Sequence, residues 1–295
     1  MSIDIMMPFY GSFELFKIAV RSVLQQSDPD WRLTIVDDVY PDLAPGRWAA
    51  AIDDDRVTYI RNDENLGISR NYRKCVDLAT SDFVVIMGCD DVMLPNYVEQ
   101  VKRLIADFPD AGVIQPGVRV IDGQGKPALP LADRLKNHYR PSIVTPTSFH
   151  GEEIARSLLR GNWTYFPSLC WRTSLVRRHG FRLDLDVVQD LAMLLDIVIG
   201  GDTLVLDAVP AFEYRRHTAS VSSATAVDGT RFEQERLLFS DATKALRQRG
   251  WRRAERTARA HLSSRLNAVT QFPTALRTRD AVGARSLTRH VFANV

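Results

Sequence analysis

The chain has 295 residues, 45% hydrophobic and 25% charged, a profile that excludes a disordered or fibrous protein and leaves ample length for a buried core. Its net charge of +2 is unevenly placed: Arg231 to Val295 carries 14 Lys and Arg against 5 Asp and Glu, and the remainder is net acidic. Cys75, Cys89 and Cys170 are too few and too scattered for a disulfide framework or a zinc cluster, so reduced thiols are expected.

Short β-branched runs alternate with helical patterns over the first 120 residues. Ile3 to Phe9 reads as a strand and Phe13 to Gln25 as a helix, with Arg32 to Val36 a second strand ending at Asp37-Asp38. Val57 to Ile60 is a third strand, followed by a helical pattern from Ile68 to Ala79. Phe83 to Met87 is a nearly all-apolar fourth strand that runs into Gly88-Cys89-Asp90-Asp91. Pro95 then opens a helix to about Phe108, and Gly112 to Ile121 is a fifth strand. Asp122 to Gly151, rich in Gly, Pro and polar residues, reads as a long irregular connection of the kind that forms lids. Glu152 to Arg160 and Val187 to Ile199 are helical, Asn162 to Trp171 is aromatic-rich, and Thr203 to Tyr214 is strand-like; from about Phe232 the chain is helical and Arg-rich.

The alternation predicts an α/β fold with a sheet covered on both faces, and in such sheets ligands bind beyond the carboxyl ends of the strands. Asp37-Asp38, Asn65 with Gly67, and Asp90-Asp91 all fall at those ends. Paired carboxylates there suit a hard divalent cation, although Asp91 also fits the cap of the helix near Pro95. Asp190 fits either an ordinary helix start or a placed carboxylate, and His217 either a loop histidine or a ligand.

The ordered series Pro8-Phe9-Tyr10, Ser22 to Gln26, Ile35 to Asp38, Asn65-Leu66-Gly67, Arg70-Asn71 and Asp90-Asp91 resembles the family 2 glycosyltransferases. The resemblance continues through Leu169 to Phe181, Gln189-Asp190 and Tyr214 to His217 with Ser220 and Ser222, and so spans about residues 3 to 223. Two departures stand out: Val39-Tyr40-Pro41 replaces the usual Gly-Ser after the first Asp pair, and Gln189 replaces Glu.

The resemblance implies a GT-A type, Rossmann-like mixed sheet with helices on both faces, and an inverting, metal-assisted transfer from a nucleotide sugar, most often a UDP-sugar. Pro8 and Tyr10 would line the nucleobase pocket, Asp38 would accept from the base, Arg70 would lie near the base or diphosphate, and Asp90 would contact ribose or sugar. Asp91 would bind Mn²⁺ or Mg²⁺ with His217 as an additional ligand, and Asp190 would be the general base. Residues 1–225 would form the transferase domain, with 1–121 as its nucleotide-sugar half and 122–225 as its acceptor half, and 226–295 a basic helical appendage.

The implied acceptor is a glycan or lipid-linked hydroxyl, as in cell-envelope polysaccharide or glycolipid synthesis. Trp163, Tyr165, Phe166 and Trp171 fit either core packing or stacking on acceptor sugars, and Lys136, His138 and Arg140 either a solvated loop or an acceptor phosphate. Arg247, Arg249, Arg252, Arg253, Arg256 and Arg259 fall on a helical pattern with Leu246, Trp251, Ala258 and Leu262, which suits an anionic membrane surface as well as a solvated bundle; no nucleic-acid partner is expected.

The longest apolar region, Leu191 to Val209, is interrupted by Asp196, Gly200, Gly201, Asp202 and Asp207, and Asp4 makes the N-terminus a poor signal peptide. A cytoplasmic enzyme is therefore expected, compatible with peripheral contact at the inner face of the plasma membrane; the pattern leaves the oligomeric state open. The competing readings are a nucleotidyltransferase-like α/β enzyme, disfavoured by the missing Gly-x-Gly-x-x-Gly and P-loop, and a non-catalytic sugar-nucleotide binding module.

Overall fold

In the computed structural model, residues 1–216, 230–277 and 281–292 are described. The apolar runs form strands, mostly buried on both faces, with the edge strand Val57–Arg61 only partly buried. These are β1 (Ile3–Phe9), β2 (Trp31–Asp37), β3 (Val57–Arg61), β4 (Phe83–Ile86) and β6 (Ala111–Ile121), with the two-residue β5 (Val92–Met93) before β6. β7 (Thr147–Phe149), β8 (Cys170–Arg172) and the thirteen-residue β9 (Thr203–Arg215) complete one sheet of nine strands among the described residues. Their order is β3-β2-β1-β4-β8-β6-β9-β5, with β7 alongside β9.

β1 to β4 are mutually parallel, and β8 lies antiparallel to both β4 and β6. β6 is parallel to β9. The carboxyl ends of β1 to β4, β6 and β9 therefore meet on one edge, which collects Phe9, Asp37, Ile86, Ile121 and Arg215.

One face of the sheet carries α1 (Phe13–Leu24), α2 (Ala44–Ala50) and α4 (Tyr97–Asp107), packed on Ile5, Met7, Leu33, Ile35 and Val85. The other carries α3 (Ile68–Leu78), α6 (Gly151–Arg160), α7 (Thr173–His179) and α8 (Gln189–Gly200), packed on Met6, Val84, Ile86 and Leu204. This split follows from the strand period of two.

Four helices follow: α9 (Thr230–Arg249), α10 (Arg252–Ala260), α11 (Leu262–Arg277) and α12 (Ala281–Phe292). Leu238, Phe239, Ala242 and Leu246 of α9 and Ala254 and Ala258 of α10 join the main core beside α8 rather than forming a separate one. Phe232, Ala268 and Leu287 make a small second core. Beside it lies a buried polar cluster. Ser264 Oγ contacts both Glu235 and His290 Nε2, and His290 Nδ1 lies 3.1 Å from the Phe232 carbonyl.

The expected irregular connection after Asp122 is partly ordered as α5 (Leu131–Tyr139) and β7. Pro95 precedes α4 by two residues because β5 intervenes after Asp91. On the apolar face of the Arg-rich segment Leu246 and Ala258 are fully buried against the protein, whereas Leu262 is exposed. The adjoining α11 exposes Leu262, Leu266 and Val269 on one side.

Candidate active site

At the end of β2 the two aspartates have separate structural duties. Asp37, fully buried, accepts from the Tyr59 hydroxyl at 2.6 Å, the Arg61 guanidinium at 2.6 Å and the Tyr40 amide at 2.8 Å. Asp38 accepts from Asn62 Nδ2 at 2.7 Å and from the backbone amides of Leu66 at 2.7 Å and Gly67 at 2.9 Å. Its own carbonyl accepts from Asn65 Nδ2. Asp38 thereby fixes the Asn-x-Gly loop that opens α3.

Val39 holds a φ of 60°, the left-handed conformation for which glycine is the natural occupant and which a β-branched residue adopts only under strain. The departure from Gly noted in the sequence therefore keeps the glycine backbone while adding a side chain. Next to it Tyr40 packs edge-on against Tyr10 at 5.3 Å, leaving Tyr10 55% exposed beside partly buried Pro8. Arg70 is exposed on the first turn of α3 and makes no hydrogen bond or ion pair with the described residues.

At the end of β4, a Cβ on Gly88 would lie 2.5 Å from Asp91 Oδ2 and 3.0 Å from Asp90 Oδ1. Both carboxylates converge over the glycine, which only a missing side chain permits. Asp91 is 1% exposed and its Oδ1 accepts from the backbone amide of Arg215 at 2.8 Å. The Arg215 side chain clamps the same loop, donating to the Asp90 carbonyl at 2.6 Å and to the Asp122 carbonyl at 3.1 Å. Burial, and then the charge of Asp90, push the Asp91 carboxyl well above the ordinary carboxylate range. A buried carboxylate beside a second one is a site that a cation would relieve. Hard oxygen donors of this kind fit Mn²⁺ or Mg²⁺, which fill the rest of their coordination with water or phosphate oxygens. Among the described residues no cluster of three His, Cys, Asp or Glu gathers there. His217, with Ser220 and Ser222, lies outside the described residues.

Asp190 sits in the first turn of α8. Its Oδ2 accepts from Asn162 Nδ2 at 2.9 Å, whereas its Oδ1 is buried without a hydrogen-bond partner. A buried carboxylate oxygen left unmatched is costly and is the mark of a working group. Gln189 beside it is buried and joins the donor half: Ser69 Oγ, in the first turn of α3, lies 3.1 Å from Gln189 Oε1 and 2.7 Å from Asp186 Oδ1.

Burial first, and then Cys75, Cys89, Asp90 and Asp190 nearby, push the Tyr72 hydroxyl well above its ordinary value, so it stays protonated. Burial likewise raises the Cys89 thiol to about 12, with Asp90 adding to it, so this cysteine stays a neutral wall of the site.

Residues 4–166 match the sequence profile of glycosyl transferase family 2, more than half of the chain. The chain belongs to glycosyl transferase family 2. An uncharacterized protein of Mycobacterium tuberculosis is 25% identical over 80% of this chain and 74% of its own length. The putative colanic acid biosynthesis glycosyl transferase WcaA of Escherichia coli is 33% identical over 32% of this chain and 34% of its own. Among solved structures, S. aureus TarS 1–349 in complex with UDP-GlcNAc superposes with a TM-score of 0.65 at 13% identity, covering 99% of this chain and 90% of that one. The mannosyltransferase PcManGT from Pyrobaculum calidifontis, in complex with GDP-Man and Mn²⁺, gives 0.62 at 16% identity, covering 98% and 87%. The fold is GT-A with added C-terminal helices.

As a family 2 glycosyltransferase, the chain places several residues at the site that its motifs did not single out. α5 carries Asp133, which is fully buried, pairs with Arg216 through Oδ1 at 3.0 Å and Oδ2 at 3.1 Å, and accepts from the Tyr165 hydroxyl at 3.1 Å. Lys136 of α5 points inward, donating to the Thr164 carbonyl at 2.8 Å. Burial first, then Arg216, lower its ammonium to about 8, while Asp190 opposes the shift. The outward-facing His138 is exposed, and Arg140 turns away to the Asp207 carbonyl. Trp163, Tyr165 and Trp171 are buried core residues, as the less specific reading had them. The inward turn of Lys136 left no signal in the sequence except the spacing of Asp133 and Lys136 on one helical face.

Proposed function

We propose that this family 2 glycosyltransferase is an inverting enzyme that moves a sugar from a nucleoside-diphosphate sugar, UDP first among them, to a hydroxyl of a glycan or lipid-linked acceptor. The observation that carries this reading is the unmatched buried Oδ1 of Asp190, with Asp90 and Asp190 both near Tyr72. Asp190 takes the proton from the acceptor hydroxyl as that oxygen attacks the anomeric carbon from the face opposite the diphosphate. Displacement from that side inverts the anomeric centre.

The chain's other groups orient the donor. Tyr10 and Tyr40 offer an aromatic edge to the nucleobase, Asp38 holds the adjoining loop and faces the base, and the exposed Arg70 meets the base or diphosphate. Asp91, with Asp90 beside it, would hold Mn²⁺ or Mg²⁺, and His217 would add a ligand. A cation bound there supplies charge neutralisation for the departing diphosphate. UDP-GlcNAc bound to TarS, and GDP-Man with Mn²⁺ bound to PcManGT, are what those two proteins hold in the same fold; they support a nucleotide sugar and a metal here.

No helix among the described residues is long and apolar enough to cross a membrane. The exposed Leu262, Leu266 and Val269 of α11, flanked by the arginines of α10, fit contact with an anionic lipid surface that carries the acceptor.

The decisive experiment measures release of nucleoside diphosphate from a panel of UDP-, dTDP- and GDP-sugars with Mn²⁺ and with EDTA. Metal-dependent release that disappears in Asp190→Asn supports the reading; full transfer by Asp190→Asn removes the assigned base.

A further inference from the structure

The bond that holds the proposed base belongs to a relay with fixed polarity. Asn162 Nδ2 donates to Asp190 Oδ2 at 2.9 Å. The hydroxyl of Thr164, a side chain only 1% exposed, donates to Asn162 Oδ1 at 2.8 Å. The Thr164 carbonyl in turn accepts from Lys136 Nζ at 2.8 Å, and that ammonium stands over the Tyr165 ring at 4.6 Å.

An amide has one accepting and one donating end; the Asp190 carboxylate only accepts and so takes the donating end, while the Thr164 hydroxyl donates to the other and anchors it. Reversing the amide would turn Oδ1 toward a carboxylate, oxygen against oxygen. The donor end is thus locked onto Asp190 Oδ2, and the carboxylate plane is set with Oδ1 as the oxygen left for chemistry.

We infer that Asn162, anchored by Thr164 and backed by Lys136, is the positioning residue of the general base: it fixes the plane of the Asp190 carboxylate. The inference rests on Asp190 being the base. Asn162 touches no reacting atom; it acts through Asp190. One outcome follows from its geometry. A freed carboxylate rotates, and a base out of line with the attacking hydroxyl slows the chemical step without weakening donor binding.

The charged and titratable groups around Asp190 come from several elements. Tyr72 faces it from α3, with Asp90 beyond; Lys136 faces it from α5, with Arg216, Asp133 and Arg231 around that lysine. None of these is altered by substitutions at Asn162 or Thr164, so a change in kcat at unchanged donor KM reports on the relay.

The test uses the full chain with Mn²⁺ and the nucleotide sugar of the UDP-, dTDP- and GDP-sugar panel that most raises its Tm, UDP-GlcNAc first, with water as acceptor and nucleoside diphosphate release as readout. Asn162→Ala is expected to lower kcat by about tenfold to a hundredfold with the donor KM within about twofold. Thr164→Val, which removes only the hydroxyl, is expected to act in the same direction, and Thr164→Ser to restore wild-type behaviour. Donor-induced stabilisation is expected to persist in all three, which separates misplacement of the base from a damaged fold. Wild-type kcat in Asn162→Ala and Thr164→Val, with Asp190→Asn inactive, would overturn the positioning role. Full activity in Asp190→Asn would instead overturn the base assignment beneath it.

Discussion

The backbone amide of Arg215, the last residue of β9, donates to Asp91 Oδ1 at 2.8 Å, while its guanidinium donates to the carbonyl of Asp90. One residue thus carries both the carboxylate and the backbone of the candidate metal loop. Arg215→Lys keeps the amide but loses the fork that joins Asp90 to Asp122. We expect kcat/KM to fall about tenfold to a hundredfold and the Mn²⁺ concentration for half-maximal rate to rise, about 1.4 kcal/mol per factor of ten. Metal titrations of the rate check this.

Gly88→Ala tests the convergence of the two carboxylates. The new methyl group would lie 2.5 Å from Asp91 Oδ2, too close for any ordinary contact. Asp91 must turn away or the loop must shift, so activity should drop at least about a hundredfold while the sheet stays folded. Circular dichroism alongside the rate assay separates the two effects; a variant of wild-type rate would remove the proposed carboxylate geometry.

Val39→Gly should stabilise the protein. Relief of a left-handed β-branched residue is worth about 1–3 kcal/mol, against about 0.5–1 kcal/mol for the added freedom of glycine in the unfolded chain. A net gain of about 1 kcal/mol, read as a rise in Tm, is expected, and a fall would show that the Val39 side chain contributes more than its strain costs.

His290 makes the C-terminal helices sensitive to acid. Burial first, then His261 and Arg236, lower its imidazole to about 4 against the attraction of Glu235. The folded value lies below the unfolded one of about 6.5, so the unfolded chain takes up the proton first. This contribution to stability is intact above about pH 6.5 and lost as pH falls toward 4, by up to about 3 kcal/mol. Thermal unfolding at pH 7.5 and pH 5 should show the loss, and His290→Gln should show a smaller difference between the two.

Binding to vesicles containing phosphatidylserine checks the lipid contact proposed for α11. Leu262→Glu combined with Leu266→Glu should reduce co-sedimentation at least about tenfold without changing donor hydrolysis, since both side chains are exposed. Equal binding by the double variant would exclude this helix as the contact.

The donor half was legible because most of its strands are buried on both faces and so read as unbroken apolar runs, with polar residues only where each run stops. β1 is found at the residues its pattern predicts, Ile3–Phe9. β5, at two residues, is too short to show any period, and β7 and α5 lie in a stretch whose Gly and Pro content resembles a loop. The inward face of α5 depends on Arg216, more than eighty residues away, which no local pattern reports. The candidate base was visible only through its family context. Its unmatched oxygen and the amide that holds it are properties of packing. On the Arg-rich helix the small apolar residues suit a protein neighbour, and Ala254 and Ala258 pack into the core beside α8.

Ser69 gives the two halves of the molecule a shared origin of coordinates. Its hydroxyl, in the first turn of the helix that follows the donor loop, reaches Asp186 and Gln189, well over a hundred residues later, while Arg73 one turn on donates to the Phe181 carbonyl. The loop held by Asp38 and the helix bearing Asp190 are therefore surveyed from the same benchmark. Tyr10, exposed after β1, takes no part in that bracing, so a substitution there should leave the spacing between α3 and α8 unchanged.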